Sequence, residues 1–365
     1  MNAMSRRQTA IPCAILRGGT SRGVYFHRDD LPGDEHLRDD ILLKVMGGPD
    51  VLQIDGIGGG HPLNNKVAIV SQSSRDDADI DYLFLQVVPQ AARLSDVQNC
   101  GNILAGVGPY AIESGLVEAG STHTQVRIHM VNSGNLCELT IETPDEVVNY
   151  AGDTEIDGVP GTAAPIICDF LDVAGSACGA LMPTENVIDT IDGAEMSCVD
   201  NGMPVVVLRA SDFDIGGEES PEELDANEEL KARLEKIRLE IGPLMNLGDV
   251  SEKTVPKMCL ISQANRGGHV STRTFIPHVC HRSIGVLGAV SVATACLMPG
   301  SVADGIATVP QGREKRMIIE HPTGSFTVRL VVSEQGQTIS VERAGVIRTA
   351  RLLFRGDVFI PSTET

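Results

Sequence analysis

The order of motifs in the first half of the chain recurs in the second half, and this repeat limits the fold more than any other feature. Residues 66–71 (KVAIVS) and 257–262 (KMCLIS) both read as a strand that begins with lysine. Residues 103–113 and 284–297 are both apolar on almost every side. The first pair is separated by 191 residues and the second by 181. A period of this kind indicates two copies of one structural unit.

The two apolar segments predict how each unit is built. A helix without a polar face must be enclosed by protein, and Gly106 and Gly108 allow neighbouring strands to approach the first of these helices. We therefore predict an α+β fold with two pseudo-symmetric domains, each a mixed β-sheet wrapped around a central buried helix. The domains are expected to span residues 1–183 and 184–365.

The composition argues against several classes of function. The formal net charge of −20 would repel the phosphates of nucleic acid. The nine cysteines show neither a CxxC pair nor zinc-site spacing, which is typical of reduced thiols in the cytoplasm. Residues 1–8 contain two arginines but lead into no apolar signal segment, and the run 284–298 is too short to cross a bilayer. We expect a cytoplasmic protein that binds neither nucleic acid nor membranes; a homodimer is compatible with the sequence, which does not fix the oligomeric state.

Lys66 is the first candidate for chemistry. It follows the glycine-rich loop at 56–60 and opens an apolar strand that leaves no polar face for a solvated charge. Two interpretations follow: a structural cap or salt-bridge partner, or a base held at the floor of a cleft. Lys257 occupies the equivalent place in the repeat, but Val255 and Pro256 precede it instead of glycines. We therefore interpret Lys257 as mainly structural.

Three polar segments are candidates for binding anions. The buried helices are predicted to begin at residues 99–102 (NCGN) and 281–283 (HRS). Helix N-termini present unpaired N–H groups and a positive dipole end, which favour carboxylates. If the two halves face each other, both N-termini point into the cleft between them. The segment 17–22 (RGGTSR) adds several hydrogen-bond donors around two glycines.

Four motifs, in this order, resemble those of the PrpF family: residues 17–23 (RGGTSRG), 58–66 (GGGHPLNNK), 99–102 (NCGN) and 161–165 (GTAAP). The resemblance covers nearly the whole chain and implies the diaminopimelate-epimerase-like fold. In relatives of this fold the last strand crosses back between the domains, so the final strand, 351–360, is expected to pack onto the first domain. Within the family, the sequence looks most similar to the branch that isomerises 4-oxalomesaconate during bacterial breakdown of lignin-derived aromatics. Other branches isomerise 2-methylaconitate or methylitaconate. The resemblance implies an unsaturated tricarboxylate or keto-acid substrate and neither a metal nor an organic cofactor.

The resemblance also implies roles for individual residues. Lys66 is expected to be the base, and Cys100 an acid or a helper, unless Cys100 only caps its helix. The epimerase relatives place a second cysteine before the second helix, but here His281 follows Cys280 in place of the usual glycine. Two-base stereoinversion is therefore in doubt, and a proton shift by one base along one face of the substrate is the better interpretation.

The remaining predicted site residues are expected to bind the substrate. They are Arg17, Gly19, Thr20, Ser21, Arg22, Asn65, Asn99, Gly101, Asn102, His281, Arg282 and Ser283. Several have a structural alternative: Asn65 and Asn102 as turn and cap residues, His281 and Arg282 as caps of the second helix. A different class of function also stays open, a non-catalytic protein that binds polycarboxylates.

Overall fold

The computed structural model describes residues 8–96, 99–335 and 338–362 and divides the chain into two compact units. The first unit contains the described residues up to Cys168 together with those from Arg348 onward, and the second runs from Asp169 to Ile347. The first unit thus ends at Cys168, before the domain boundary expected at residue 183. Residues 1–7 of the first expected domain lie outside the described residues, as do residues 97–98, just before the predicted start of the first buried helix.

The described elements are long strands with few helices. The strands are β1 (Gln8–Gly18), β2 (Ser21–His27), β3 (Lys66–Gln72), β4 (Ile80–Val88), β5 (Arg93–Ser95), β6 (His123–Met130), β7 (Asn135–Glu142), β8 (Ile166–Leu171), β9 (Asp189–Ile191), β10 (Ala194–Asp200), β11 (Pro204–Arg209), β12 (Lys257–Ser262), β13 (Val270–Phe275), β14 (Glu314–His321), β15 (Gly324–Gln335), β16 (Thr338–Arg348) and β17 (Ala350–Pro361). The helices are α1 (Glu35–Met46), α2 (Gly101–Glu113), α3 (Pro221–Ala226), α4 (Glu228–Leu244) and α5 (Val286–Leu297).

The first unit is built on a mixed sheet in the order β17, β1, β2, β3, β4, β6 and β7, with β5 also paired to β4. The β2–β3 and β4–β6 pairs are parallel and the others antiparallel. In β3, Val67 and Ile69 belong to the core that α1 completes through Leu42 and Met46. Because side chains alternate across a strand, Lys66 faces the other side of the sheet, where α2 packs.

The second unit repeats this arrangement. Strands β10, β11, β12, β13, β14 and β15 pair in sequence, with β11–β12 and β13–β14 parallel and the others antiparallel. Val205 pairs with Lys257 as Gly23 pairs with Lys66 in the first unit. The buried helices α2 and α5 occupy equivalent places, and Leu297 and its neighbours in α5 are almost fully enclosed. The prediction of two similar sheets, each with an enclosed helix, is confirmed.

Three predicted boundaries were wrong. In the sequence, the polar segment 29–46 and the charged segment 221–245 each predict one helix, at matching places in the repeat. The first helix begins only at Glu35, where Asp34 caps it. The helix expected at 221–245 is two helices, because the side chain of Asn227 accepts the Leu230 N–H and starts α4 anew. The second buried helix begins at Val286, so residues 281–283 precede it instead of forming its first turn.

The helices also bear on the membrane prediction. Within the described ranges, none is both long and apolar enough to cross a bilayer. The two most apolar, α2 and α5, have 13 and 12 residues, whereas a membrane span needs roughly 20. Their apolar surfaces are covered by the strands of their own units.

Candidate active site

The turn between β1 and β2 packs against the first turn of α2. Gly19 has a φ of +51°, and a Cβ there would come within 2.1 Å of the Asn102 Oδ1 atom. A Cβ on Gly18 would come within 2.3 Å of the Asn102 carbonyl oxygen. Asn102 Nδ2 donates to Thr20 Oγ1 at 3.0 Å. Only glycines allow this approach, and it places Thr20 and its neighbours at the N-terminal end of α2.

The glycine-rich loop before β3 lies against Arg22. Gly60 N donates to Gln53 Oε1 at 2.7 Å, and Gly59 N donates to Asn65 Oδ1 at 3.2 Å. A Cβ on Gly59 would come within 2.7 Å of Arg22 Nη2. Asn65, with only 2% of its surface exposed, therefore holds the loop that backs the Arg22 guanidinium.

Lys66 is buried and is held by an amide, not by a carboxylate. Its Nζ donates to Gln86 Oε1 at 2.8 Å and lies 5.2 Å from the centre of the Phe84 ring. The Gln86 amide nitrogen donates to the carbonyl oxygens of Asn65 and Pro62 at 2.8 and 3.2 Å, so its oxygen faces the lysine. Lys66 has no ion pair within the described part of the chain. The described residues therefore do not support the interpretation of Lys66 as a salt-bridge partner.

Cys100 is the N-cap residue of α2 and is partly buried. Its carbonyl oxygen accepts the Leu104 N–H at 2.9 Å and the Tyr82 hydroxyl at 3.3 Å. Its side chain makes no capping hydrogen bond. The backbone of Cys100 thus starts the helix, while its thiol has no structural task at the cap.

Beside these elements lies a cavity of about 640 Å³ lined entirely by the first unit. The lining residues are Arg17, Thr20, Ser21, Arg22, Asn64, Tyr150, Ala151, Gly158, Val159, Pro160, Gly161, Thr162, Ala163, Thr349, Arg351 and Leu353. Three are arginines and none is an aspartate or a glutamate. The cavity is therefore cationic in a protein whose net charge is strongly negative.

Arg17 is fixed in the wall of the cavity by Gly19 and by Thr349, which lies between β16 and β17. Its Nη1 donates to the Thr349 carbonyl oxygen at 3.0 Å, to Thr349 Oγ1 at 2.9 Å and to the Gly19 carbonyl oxygen at 3.0 Å. Burial lowers the pKa of Arg17, and the neighbouring charge of Arg351 lowers it further. The wall thus brings two like charges together, an arrangement that an anion would stabilise.

Three buried oxygen atoms, at the start of β2 and around the start of α2, have no hydrogen-bond partner among the described residues. They are Ser21 Oγ, Asn99 Oδ1 and Asn102 Oδ1. A buried polar atom left unpaired costs about 1–3 kcal/mol, and such atoms call for an explanation. A polar ligand that donates hydrogen bonds or brings in ordered water would satisfy them.

The predicted residues fall into groups. Arg17, Thr20, Ser21 and Arg22 line the cavity, while Gly19, Asn65, Gly101 and Asn102 belong to the adjoining turn, loop and α2 and are not part of the described lining. Asn99 Nδ2 donates to Ser133 Oγ at 2.6 Å. The described lining includes neither Lys66 nor Cys100. Both instead belong to the α2 side of the sheet, Lys66 beside Phe84 in β4 and Cys100 against Tyr82 of the same strand.

Sequence reasoning missed part of the lining. The lining segment 158–163 includes the first three residues of the GTAAP motif (161–165), which the sequence singled out but to which no role was given. Gln86, which positions Lys66, gave no signal because a glutamine within a strand has no distinctive pattern. Thr349 and Arg351 lie far along the chain, and only the returning strand brings them to Arg17.

The predicted residues of the second unit form a polar group of their own. His281 Nδ1 accepts the Ser283 N–H at 2.8 Å, and Ser283 Oγ lies 3.2 Å from His321 Nε2. Burial lowers the pKa of His281. Arg282 is largely exposed and pairs with Glu222. Their predicted contact with substrate stays a prediction.

The sequence is similar to that of known proteins along nearly its whole length. Residues 8–361 match the model of the PrpF protein family. The chain is 58% identical over 353 residues to 4-oxalomesaconate tautomerase of Pseudomonas putida, with 97% of each chain covered. It is 55% identical over 360 residues to (4E)-oxalomesaconate Delta-isomerase of a Novosphingobium species, covering 99% of this chain and all of the other.

A solved structure gives the same result for the fold. A methylitaconate-delta-isomerase has a TM-score of 0.86 and 34% sequence identity, covering 97% of this chain and 96% of the other. This similarity confirms the predicted diaminopimelate-epimerase-like α+β fold. From the family match and the similarity along nearly its whole length, the chain belongs to the PrpF family.

Proposed function

We propose that this protein is a cofactor-independent isomerase that moves a proton within 4-oxalomesaconate, by a 1,3-allylic shift or a keto–enol tautomerisation. The observation that carries the proposal is the cavity with three arginines and no acidic lining residue, in a chain so similar to proteins named for this substrate. A tricarboxylate brings three negative charges that these arginines match. A cytoplasmic location and a place in bacterial breakdown of lignin-derived aromatics belong to the same proposal.

The chemistry requires a base and fixed hydrogen-bond donors. Removing a proton from the carbon beside the keto or unsaturated acid gives a dienolate, whose charge spreads onto oxygen atoms that need donors already in place. Lys66 Nζ accepts that proton and returns it to the carbon two positions away, so the double bond moves and no atom is gained or lost. The arginines and the N–H groups at the start of α2 hold the carboxylates.

A single base suits this site better than a pair of thiols. Cys280, the cysteine before the second buried helix, is only 3% exposed. Burial and the nearby Asp225 raise its pKa to about 11. A thiol of this kind is a poor source of thiolate at neutral pH, which supports proton transfer by one base on one face of the substrate.

Replacing Lys66 by methionine tests the assignment of the base. Lys66→Met keeps the apolar stem and removes the proton acceptor, so we expect kcat to fall by roughly 10²- to 10⁴-fold. Substrate affinity should persist because the arginines remain. Cys100→Ser keeps a small polar side chain and should lose less. The measurement is kcat, substrate affinity and solvent deuterium uptake at the allylic carbon for both variants.

The opposite ranking would contradict this mechanism. If Lys66→Met exchanges the allylic proton as fast as the parent while Cys100→Ser does not, the thiolate is the base. The parent protein should also be assayed by NMR in deuterated water with 4-oxalomesaconate, 2-methylaconitate and methylitaconate side by side. Binding without deuterium uptake from any of them would favour the non-catalytic polycarboxylate binder. Preference for 2-methylaconitate or methylitaconate would change the substrate and keep the reaction class.

A further inference from the structure

Arg351 lies in the last strand of the chain, directly opposite Arg17 in β1. The pairing of β17 with β1 shifts at this point: Leu16 pairs with Leu352 and Ile15 with Phe354, so Leu353 has no partner in β1. A bulge of this type turns side chains away from the regular alternation and is common beside active sites. Arg351 and Leu353 both line the cavity.

The charge of Arg351 is not balanced by a carboxylate in the part of the chain that the structure describes. Neither Arg351 nor Arg22 forms an ion pair among the described residues. Arg355, four residues further along the same strand, pairs with Glu113 instead. Like charges directly opposite each other in neighbouring strands are destabilising, yet Arg17 and Arg351 occupy such positions in the cavity wall.

We propose that Arg351, together with Arg17, binds the carboxylate by which a tricarboxylate differs from a dicarboxylate, and so makes the cavity select tricarboxylates. The proposal rests on the proposed function for the location of the site and adds which side chain sets specificity. Arg22, on the neighbouring strand and backed by the glycine-rich loop, holds another carboxylate. Arg351 is a specificity-determining residue and does not take part in proton transfer.

The geometry favours a carboxylate over a smaller anion as the partner of the Arg17–Arg351 pair. The planar guanidinium group presents donors in a fork that matches the two oxygens of a carboxylate. Arg17 donates hydrogen bonds to Thr349 and Gly19 through Nη1. Its other guanidinium nitrogens can then donate to a ligand. The cavity, at about 640 Å³, has room for a tricarboxylate of six or seven carbons, since ligand pockets begin at roughly 300 Å³.

The test compares two anions in binding alone, so it does not depend on turnover. Isothermal titration of the full-length protein uses trans-aconitate as the tricarboxylate and itaconate as the dicarboxylate. Arg351→Gln should weaken trans-aconitate binding by roughly 10- to 100-fold, the factor expected for a hydrogen-bonded charge. Itaconate binding should change by less than about threefold. Because Arg351 is an exposed residue, the substitution leaves the core untouched.

Arg355→Gln is the matched control, since it removes the same charge from the same strand outside the cavity lining. It should leave the ratio of the two affinities unchanged. The proposal is overturned if Arg351→Gln weakens both anions equally, if it weakens neither, or if the parent protein binds trans-aconitate no tighter than itaconate. Failure to turn over 4-oxalomesaconate would instead contradict the proposed function, while an Arg351-dependent preference for trans-aconitate would still support the tricarboxylate subsite.

Discussion

The two lysines at equivalent places in the repeat have different surroundings. Lys66 donates to the Gln86 amide and lies beside Phe84. Lys257 opens the matching strand, but burial lowers its pKa to about 8, and the nearby Arg238 adds to the effect. One strand position thus gives a hydrogen-bonded lysine in the first unit and a partly desolvated lysine in the second.

The lowered pKa of Lys257 predicts how stability depends on pH. Between pH 8 and the ordinary value of 10.5, the unfolded chain binds a proton at this lysine that the folded chain does not. The contribution of Lys257 to the free energy of unfolding therefore rises with pH across this window and is least favourable below pH 8. Lys257→Met lacks this contribution. The free energy of unfolding of the variant minus that of the parent should therefore be greatest at pH 7 and decline toward pH 10.

Urea unfolding of both proteins at pH 7, 8, 9 and 10 measures this difference. Taking the difference between the variant and the parent cancels the titration of groups common to both. A difference in free energy that stays constant across these pH values would show that the folded protein does not perturb Lys257.

At the scale of elements, the two buried helices are packed with different tightness. A Cβ on Gly106 of α2 would come within 2.3 Å of the Tyr25 hydroxyl oxygen, which itself donates to the Ile103 carbonyl oxygen at 2.6 Å. A Cβ on Gly288 of α5 would meet only Ile284 Cγ1, at 4.0 Å. Both glycines are buried, so the two positions differ in the contacts that an added Cβ would make and not in their burial.

Alanine should therefore destabilise the protein at Gly106 but not at Gly288. Gly106→Ala forces Tyr25 to move and should destabilise the protein by about 1–3 kcal/mol, the usual cost of overpacking. Gly288→Ala should be neutral or stabilise by up to about 1 kcal/mol, because alanine favours the helix and meets no clash. Urea unfolding gives both values. Equal destabilisation by the two substitutions would mean that α5 is packed as tightly as α2.

Sequence reasoning found the elements whose signal is local and missed those set by distant partners. Two apolar helices and the lysine-led strands follow from periodicity within a few residues. The break between α3 and α4 at Asn227 depends on one side-chain hydrogen bond, in which Asn227 accepts the Leu230 N–H. The bulge at Leu353 depends on the register with β1, whose residues are more than three hundred positions away. Neither the helix break nor the bulge can be predicted from the few residues that surround it in the sequence.

At the scale of the whole molecule, the two ends of the chain close the first unit. Strand β17 pairs with β1 from Gly18 to Gln8, and the same strand brings Arg351 to the cavity. Sequence reasoning could predict the donors at 17–22 because they form one motif. It could not predict Thr349 and Arg351 as lining residues, because their place follows from a pairing between opposite ends of the chain.

The pairing of β17 with β1 therefore contributes to both the core and the cavity wall. Substitutions at two adjacent residues of β17 test this contribution. Ile360 is 5% exposed and belongs to the core with Phe26 and Ile11, whereas Phe359 is 57% exposed. Ile360→Ala should destabilise the protein by about 2–5 kcal/mol, since it removes buried methyl groups and leaves a cavity. Phe359→Ala should change stability by no more than about 0.5 kcal/mol. Urea unfolding measures both, and trans-aconitate binding reports on the cavity wall, which should weaken only in Ile360→Ala as β17 loosens. Equal effects of the two substitutions would show that the last strand is not docked against β1 in solution.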